Sequence, residues 1–158
     1  MTDELPDAPA FVDTSVIVRY LIQDIPDQNE QARQIIEEHP RLLLTAVMIA
    51  ETSFVLTSFY NVPRDVVVDS LIALLQRVNI RVHQLDTDIV IQALRLCRPS
   101  GRVSFADAML WASARSARDG SIVYTFDRRF PPIGITVRSE FPEQASSRQA
   151  ARRPVTNW

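Results

Sequence analysis

Short apolar runs alternate along this chain with longer segments in which apolar residues recur at helical spacing. The apolar runs predict strands at residues 10–13, 42–44, 80–85, 122–124 and 135–137. The periodic segments predict helices at residues 15–22, 27–39, 45–59, 63–75, 87–96 and 104–120. Strands that alternate with helices in this way predict an α/β domain, in which helices cover both faces of a mostly parallel sheet.

The length of 158 residues fits one domain with a full hydrophobic core. We expect this domain to occupy residues 1–140, because residues 141–158 are rich in Ser, Arg, Gln and Pro and read as a flexible tail. No apolar run is long enough to span a membrane, and the acidic N-terminus does not resemble a signal peptide. Cys97 is the only cysteine, which excludes an internal disulfide and a cysteine-built zinc site. These features predict a cytoplasmic protein.

All 17 basic residues are arginine, and the chain contains no lysine. The absence of lysine excludes a P-loop nucleotide site and Schiff-base catalysis. The net charge of -2 means that any binding of nucleic acid must come from a local patch of positive charge.

Four acidic residues occupy related places in the predicted fold. Asp13 ends the first strand and Asp127 ends the fourth. Glu51 lies a turn or two into the helix after the second strand, and Asp107 lies in the first turn of the helix that starts at Ser104. Because the carboxyl ends of parallel strands and the starts of the following helices share one edge of a sheet, we expect the four carboxylates to converge there.

Each of these acids also has a purely structural interpretation. Asp13 could cap the first helix, Asp107 could belong to a capping box with Ser104, and Asp127 could close a short turn. Glu51 interrupts the apolar segment VMIAETSFVL, where an unpaired buried carboxylate would be costly.

Taken together, four clustered acids would repel one another unless a cation lay between them. Carboxylates without His or Cys suit a hard ion such as Mg²⁺ or Mn²⁺, and His39 and His83 do not have metal-binding spacing. Ions of this kind bind phosphates and activate water, so the pattern indicates phosphodiester hydrolysis.

Four motifs occur in order: FVDTSVIVRYLIQD, AETSFVL, VSFADAMLWASA and IVYTFDRRF. Over about residues 10–138 they resemble the PIN-domain ribonucleases, and most of all the VapC-type toxins of bacterial toxin–antitoxin pairs. The resemblance implies a three-layer α/β/α fold with a five-stranded parallel sheet in the order 3-2-1-4-5. It also implies an endoribonuclease that uses Mg²⁺ or Mn²⁺, forms homodimers and is silenced by a cognate antitoxin protein.

The acidic positions of the family fall on the four acids already described. The resemblance implies that Asp13, Asp107 and Asp127 bind the metal, whereas Glu51 either binds it or activates the attacking water. Two hydroxyl residues beside these acids, Thr14 and Thr125, are expected to hold carboxylates by hydrogen bonds. Ser15 departs from the family, many of whose members have Asn there, and no family motif explains the tail.

Four arginines near the expected site are candidates for RNA binding: Arg19, Arg102, Arg128 and Arg129. Each could equally be an ordinary solvated surface residue. The main alternative function is a catalytically silent PIN-like scaffold that binds RNA or protein. A phosphoacceptor receiver domain would need a lysine that is missing here, and the residues cannot separate RNA from DNA as the substrate.

Overall fold

The computed structural model describes residues 8–142, and this part of the chain alternates short strands with helices. The strands are β1 (Ala10–Phe11), β2 (Leu42–Leu44), β3 (Ile80–Val82), β4 (Ile122–Tyr124) and β5 (Thr136–Arg138). The helices are α1 (Thr14–Ile22), α2 (Pro26–Glu38), α3 (Ala46–Ser58), α4 (Arg64–Leu75), α5 (Thr87–Cys97) and α6 (Phe105–Ser116). The predicted tail falls mostly on residues 143–158, which lie outside the described range.

The strands form two parallel groups, in the orders β1-β2-β3 and β4-β5. Phe11 lies opposite Leu43, and Tyr124 lies opposite Arg138. Within each group, neighbouring strands match the predicted order 3-2-1-4-5. Among residues 8–142, however, no ladder joins β1 to β4, so a continuous five-stranded sheet is not formed.

One face of each strand group is buried and the other is open. In β3, Ile80 and Val82 are buried while Arg81 between them is exposed, and in β4 only the central Val123 is buried. Phe11 and Tyr124 are large exposed side chains on the strands. The prediction that helices cover both faces is therefore wrong for the described residues, because these strands alternate with period two instead of being apolar throughout.

The core lies between the buried sheet face and the helices, with α6 packed against both α3 and α5. Trp111 of α6 is among the largest fully buried side chains. Its indole N–H donates a hydrogen bond to the backbone oxygen of Ile133, at 3.0 Å, and so ties the loop between β4 and β5 to α6.

Three details of the elements differ from the prediction. Helix α2 begins at Pro26, one residue before the predicted start, and has no side-chain cap. Strand β3 ends at Val82, because Gln84 adopts a positive φ of 60° that turns the chain. Helix α6 ends at Ser116, before Gly120.

None of the helices within residues 8–142 is long and apolar enough to cross a membrane.

Candidate active site

Asp13 lies where β1 gives way to α1. It is the N-cap of α1, and its Oδ2 atom accepts hydrogen bonds from the Ser15 hydroxyl at 2.7 Å and from the Ser15 backbone N–H at 3.2 Å. The hydroxyl is the main cause of a lowered Asp13 pKa, and the backbone N–H adds to it. The capping interpretation is therefore confirmed, and it leaves an exposed, ionised carboxylate at the carboxyl end of a strand.

Glu51 is connected to the start of α1 by a threonine. The Thr14 side chain is buried, and its hydroxyl donates a hydrogen bond to Glu51 Oε2 at 3.0 Å, with the Met48 sulfur 3.4 Å away. Thr45 caps α3 and so fixes the helix that carries Glu51. Thr14 thus holds Glu51 in place, while Ser15 holds Asp13.

The side chain of Glu51 is exposed, so it does not interrupt a buried surface as the sequence indicated. Helix α3 instead turns Thr52 and Ser53 into the core, together with its buried aliphatic residues. Ser53 compensates by donating to the Ile49 carbonyl at 2.7 Å. The apolar residue Phe54 is consequently left outside, on the same surface as Glu51.

Asp13 and Glu51 line the same cavity, of about 520 Å³, which we call the Asp13 cavity. Its other walls include Arg19 and the aromatic residues Phe54, Phe59 and Tyr60. Two carboxylates beside an aromatic wall form a site that can hold a cation close to an apolar ligand group.

Asp127 lies in a tight turn after β4. Its Oδ1 atom accepts hydrogen bonds from the backbone N–H of Arg129 at 2.9 Å and from the Arg129 guanidinium Nε at 3.2 Å. The backbone N–H is the main cause of the lowered Asp127 pKa, and the guanidinium adds to it. Thr125 accepts a hydrogen bond from the Asp127 backbone N–H at 3.0 Å, and so holds the turn rather than the carboxylate.

A second cavity, of about 530 Å³, is lined by Asp127, and we call it the Asp127 cavity. Arg128 and Arg138 also line it, as does the highly exposed Phe126. None of its lining residues lines the Asp13 cavity. The structure therefore brings Asp13 and Glu51 together, and it places Asp127 in separate surroundings.

Asp107 lies in the first turn of α6, where its backbone N–H donates to the Ser104 hydroxyl at 3.0 Å. Ser104 is therefore the N-cap, but no hydrogen bond within residues 8–142 joins the Ser104 backbone N–H to the Asp107 carboxylate, so only half of the predicted capping box is formed. Helix α6 packs against α3, the helix that carries Glu51, but Asp107 lines neither cavity.

The four acids differ in how well they suit a divalent cation. Within residues 8–142, no group of three or more His, Cys, Asp or Glu residues is placed to hold a metal ion. The pair in the Asp13 cavity nevertheless fits Mg²⁺ in its donor chemistry, because Mg²⁺ commonly binds one or two carboxylates and keeps water and phosphate as its other ligands. Asp13 and Glu51 are therefore the residues of this structure that could hold the ion.

The candidate arginines have different environments. Arg19 forms an ion pair with Asp24 at 2.8 Å and also donates to Gln28, and Arg129 is engaged with Asp127. The guanidinium groups of Arg102 and Arg128 form no ion pair and no hydrogen bond with any residue in the described part of the chain. These last two cations are the ones whose charge is not already balanced by a carboxylate in contact.

Sequence reasoning did not assign Ser15 or the aromatic residues Phe54, Phe59 and Tyr60 to the site, and it gave Arg129 as an RNA-binding candidate but not as the partner of Asp127. A serine two residues after a helix-capping aspartate is a recognisable turn signal, and it could have identified Ser15. The aromatic residues gave no signal, because their exposure depends on which side of α3 faces the core.

Comparison with family models gave a match to the PIN domain over residues 10–135. Comparison with curated proteins and comparison with solved structures gave no match. The matched range contains strands β1 to β4, all six helices and all four acids, and it ends one residue before β5. The chain therefore belongs to the PIN domain family.

Proposed function

We propose that this protein is a metal-dependent endoribonuclease that hydrolyses RNA phosphodiester bonds. PIN domains are generally nucleases, and generally metal-dependent, which supports a nuclease role. The observation that carries the proposal is the placement of Asp13 and Glu51 in one cavity, with Glu51 held by the buried hydroxyl of Thr14 at 3.0 Å.

In the proposed site Asp13 and Glu51 would hold the metal in one cavity. The resemblance adds Asp107 and Asp127, which do not line that cavity, as ligands that would bind directly or through water. Glu51 would bind the metal or orient and deprotonate the attacking water. A bound Mg²⁺ or Mn²⁺ ion neutralises phosphate charge and makes a water molecule a better nucleophile. The lowered pKa keeps Asp13 ionised at neutral pH, so it offers the ion a full negative charge.

The hydroxyl groups have positioning roles in this proposal. Thr14 holds Glu51 and Ser15 holds Asp13, so that neither carboxylate has to be ordered when the substrate arrives. Arg102 and Arg128 attract RNA phosphates to the neighbourhood of the acids.

The resemblance to VapC-type toxins supports a more specific role. We propose a cytoplasmic, homodimeric toxin that a cognate antitoxin restrains by placing an arginine against the acidic residues. Charge-assisted hydrogen bonds would favour that contact over the free carboxylates.

The enzymatic proposal is tested by incubating the purified chain with single-stranded RNA in Mg²⁺, in Mn²⁺ or in a chelator. We expect cleavage only with metal, and none by Asp13→Asn. We also expect metal to raise the free energy of unfolding by about 2.7 kcal/mol at a hundred times its dissociation constant. RNA binding without cleavage would favour the silent scaffold, and faster cleavage of DNA of the same sequence would contradict the assignment to RNA.

The toxin role is tested in cells. Expression of the wild type should slow growth, whereas expression of Asp13→Ala at the same protein level should not. Equal growth of the two strains would contradict the toxin role without bearing on cleavage in vitro.

A further inference from the structure

Aromatic side chains project into solvent at the edge of the Asp13 cavity. Phe54 is 66% exposed and Phe59 is 77% exposed, and both line the cavity together with Asp13 and Glu51. Phe54 lies one helical turn after Glu51 on α3, so its ring and the carboxylate are neighbours on one helix surface.

The Phe59 ring contacts Tyr60, whose hydroxyl is hydrogen-bonded to other residues. Its ring packs edge-on against Tyr60, with 5.2 Å between the ring centroids and an interplanar angle of 70°. The Tyr60 hydroxyl lies 3.0 Å from Nη1 of Arg19, which donates to it, and 3.3 Å from a carboxylate oxygen of Asp24. These contacts order Tyr60, and the edge-on contact with Tyr60 limits the motion of the Phe59 ring, which lowers the entropic cost of binding.

An occupant of this surface has to suit both the aromatic rings and the nearby acids. A nucleobase does so, since its flat apolar face stacks on an aromatic ring while an exocyclic amine or a ring N–H can donate to a carboxylate. A second copy of the chain suits the surface poorly. In a two-fold dimer centred here, each copy would bring its own Asp13 and Glu51 to the contact, and the like charges would repel.

We propose that Phe54 and Phe59 form a base-stacking subsite, which receives an unpaired base of the RNA strand next to a phosphate that a metal at Asp13 and Glu51 would bind. This inference rests on the proposed ribonuclease function and adds two residues that bind a base of the substrate. A base in a duplex already stacks on its neighbours, so the subsite selects RNA that is single-stranded at the cut.

The test uses a short single-stranded RNA that carries 2-aminopurine, whose fluorescence is quenched when it stacks on an aromatic ring. Binding is measured with Mg²⁺ in the full-length Asp107→Asn protein, which we expect not to cleave RNA because a proposed metal ligand is removed. Asp107 does not line the Asp13 cavity, so that cavity stays intact. Phe54→Leu and Phe59→Leu each keep an apolar side chain and remove the ring, while Phe59→Trp restores a ring. Phe141→Leu is the matched control, because Phe141 is also 77% exposed and does not line the Asp13 cavity.

We expect each leucine variant to bind RNA about tenfold more weakly and to lose quenching, because one stacked base contributes about that much to affinity. Phe59→Trp should keep both affinity and quenching, and Phe141→Leu should match its parent. If wild-type protein cleaves RNA while the leucine variants bind it like their parent, the subsite is rejected and the ribonuclease function stands.

Two further outcomes would also overturn the inference. If the leucine variants keep RNA affinity but shift the sedimenting mass of the protein, the aromatic surface is a contact between copies. If wild-type protein neither binds nor cleaves RNA, the proposed function fails and the subsite fails with it.

Discussion

The Asp13 cavity and the Asp127 cavity have nearly equal volumes, about 520 and 530 Å³, yet their side chains differ in kind. In the first, two carboxylates face aromatic rings, and hydroxyl groups hold them. In the second, the carboxylate of Asp127 accepts from Arg129, and Arg128 and Arg138 stand beside it. In the first cavity the lining arginine, Arg19, is paired with Asp24, so the charges of Asp13 and Glu51 are unbalanced. In the second, Asp127 and Glu140 are accompanied by Arg128 and Arg138, so the negative charge is balanced by arginine.

This difference follows from how each acid ends its strand. Asp13 is followed by a helix, and the hydroxyl of Ser15 satisfies its carboxylate without adding positive charge. Asp127 is the first residue of a turn whose third residue is Arg129, so the same type of local hydrogen bond brings a guanidinium with it. Two strand ends with the same sequence pattern thus differ in charge because of the residue two positions after the acid. The charge of Asp13 is left unbalanced, and that of Asp127 is balanced.

The largest expected effect is on stabilisation by metal, and it distinguishes Asp13 from Asp127. Asp13→Asn should remove the stabilisation by Mg²⁺ or Mn²⁺ and lower cleavage by more than about 100-fold, the upper value for residues that only support a ligand. Asp127→Asn should keep part of the stabilisation by metal, because the charge it removes is already balanced by Arg129. Thermal unfolding with and without metal, together with cleavage rates, checks both variants.

Full stabilisation by metal in Asp13→Asn would show that the ion binds elsewhere. Equal and complete losses in the two variants would show that the two cavities act as one metal site.

A smaller effect is expected from the two threonines. Thr14→Val keeps the shape of the side chain and removes the hydrogen bond to Glu51, so it should lower kcat by about 10- to 100-fold. Thr125→Val removes an acceptor from the Asp127 backbone N–H, so its main effect should be a loss of about 1 kcal/mol in the free energy of unfolding. Steady-state kinetics and denaturant unfolding of both variants separate these roles, and the reverse pattern would contradict them.

The arginines give a further contrast, in the salt dependence of RNA binding. Arg128→Ala should make the log–log slope of affinity against salt shallower by about 0.7, the value for one lost contact to a single-strand phosphate. Arg19→Ala should leave that slope unchanged, because Arg19 is already paired with Asp24 at 2.8 Å. RNA affinities over a range of salt concentrations, in the Asp107→Asn background, measure both slopes. A change confined to Arg19→Ala would assign the phosphate contact to the Asp13 cavity.

The sequence predicted the strand-end positions of Asp13 and Asp127, because a short apolar run that stops at a carboxylate is a local pattern. It did not predict the exposure of Glu51. Helix α3 has apolar residues on its outer surface as well as its inner one, since Val47 is 69% exposed while Ile49 is buried. With apolar residues all round, the pattern does not reveal which side faces the core.

The arrangement of the strands was also only partly predictable. Neighbouring strands within each group follow the expected order, since short βα connections favour adjacent parallel strands. The open sheet face was missed because apolar residues such as Phe11 and Ile122 look like core residues in a short run. Their exposure depends on which helices pack above them, and that is a tertiary property.

The smallest expected effect concerns the pKa values of the two acids in the absence of metal. The pKa of Asp13 is lowered chiefly by the Ser15 side chain, whereas the pKa of Asp127 is lowered chiefly by a backbone N–H that no substitution at Arg129 removes. Ser15→Ala should therefore raise the pKa of Asp13 toward the ordinary value of 3.8 by more than Arg129→Ala raises that of Asp127. NMR titration of the carboxyl carbons measures both changes.

The sign of the accompanying stability change follows from linkage. Because the folded-state pKa of Asp13 lies below its unfolded value of 3.8, its ionised form stabilises the fold above about pH 4 and loses that contribution as the pH falls through the folded-state pKa. Ser15→Ala should reduce this acid dependence, so the free energies of unfolding of variant and wild type should converge as the pH is lowered. A larger pKa change at Asp127 than at Asp13 would mean that the Arg129 side chain, and not its backbone N–H, is the main cause of the lowered Asp127 pKa. The two strand ends would then differ only in that one acid is held by a hydroxyl and the other by a guanidinium.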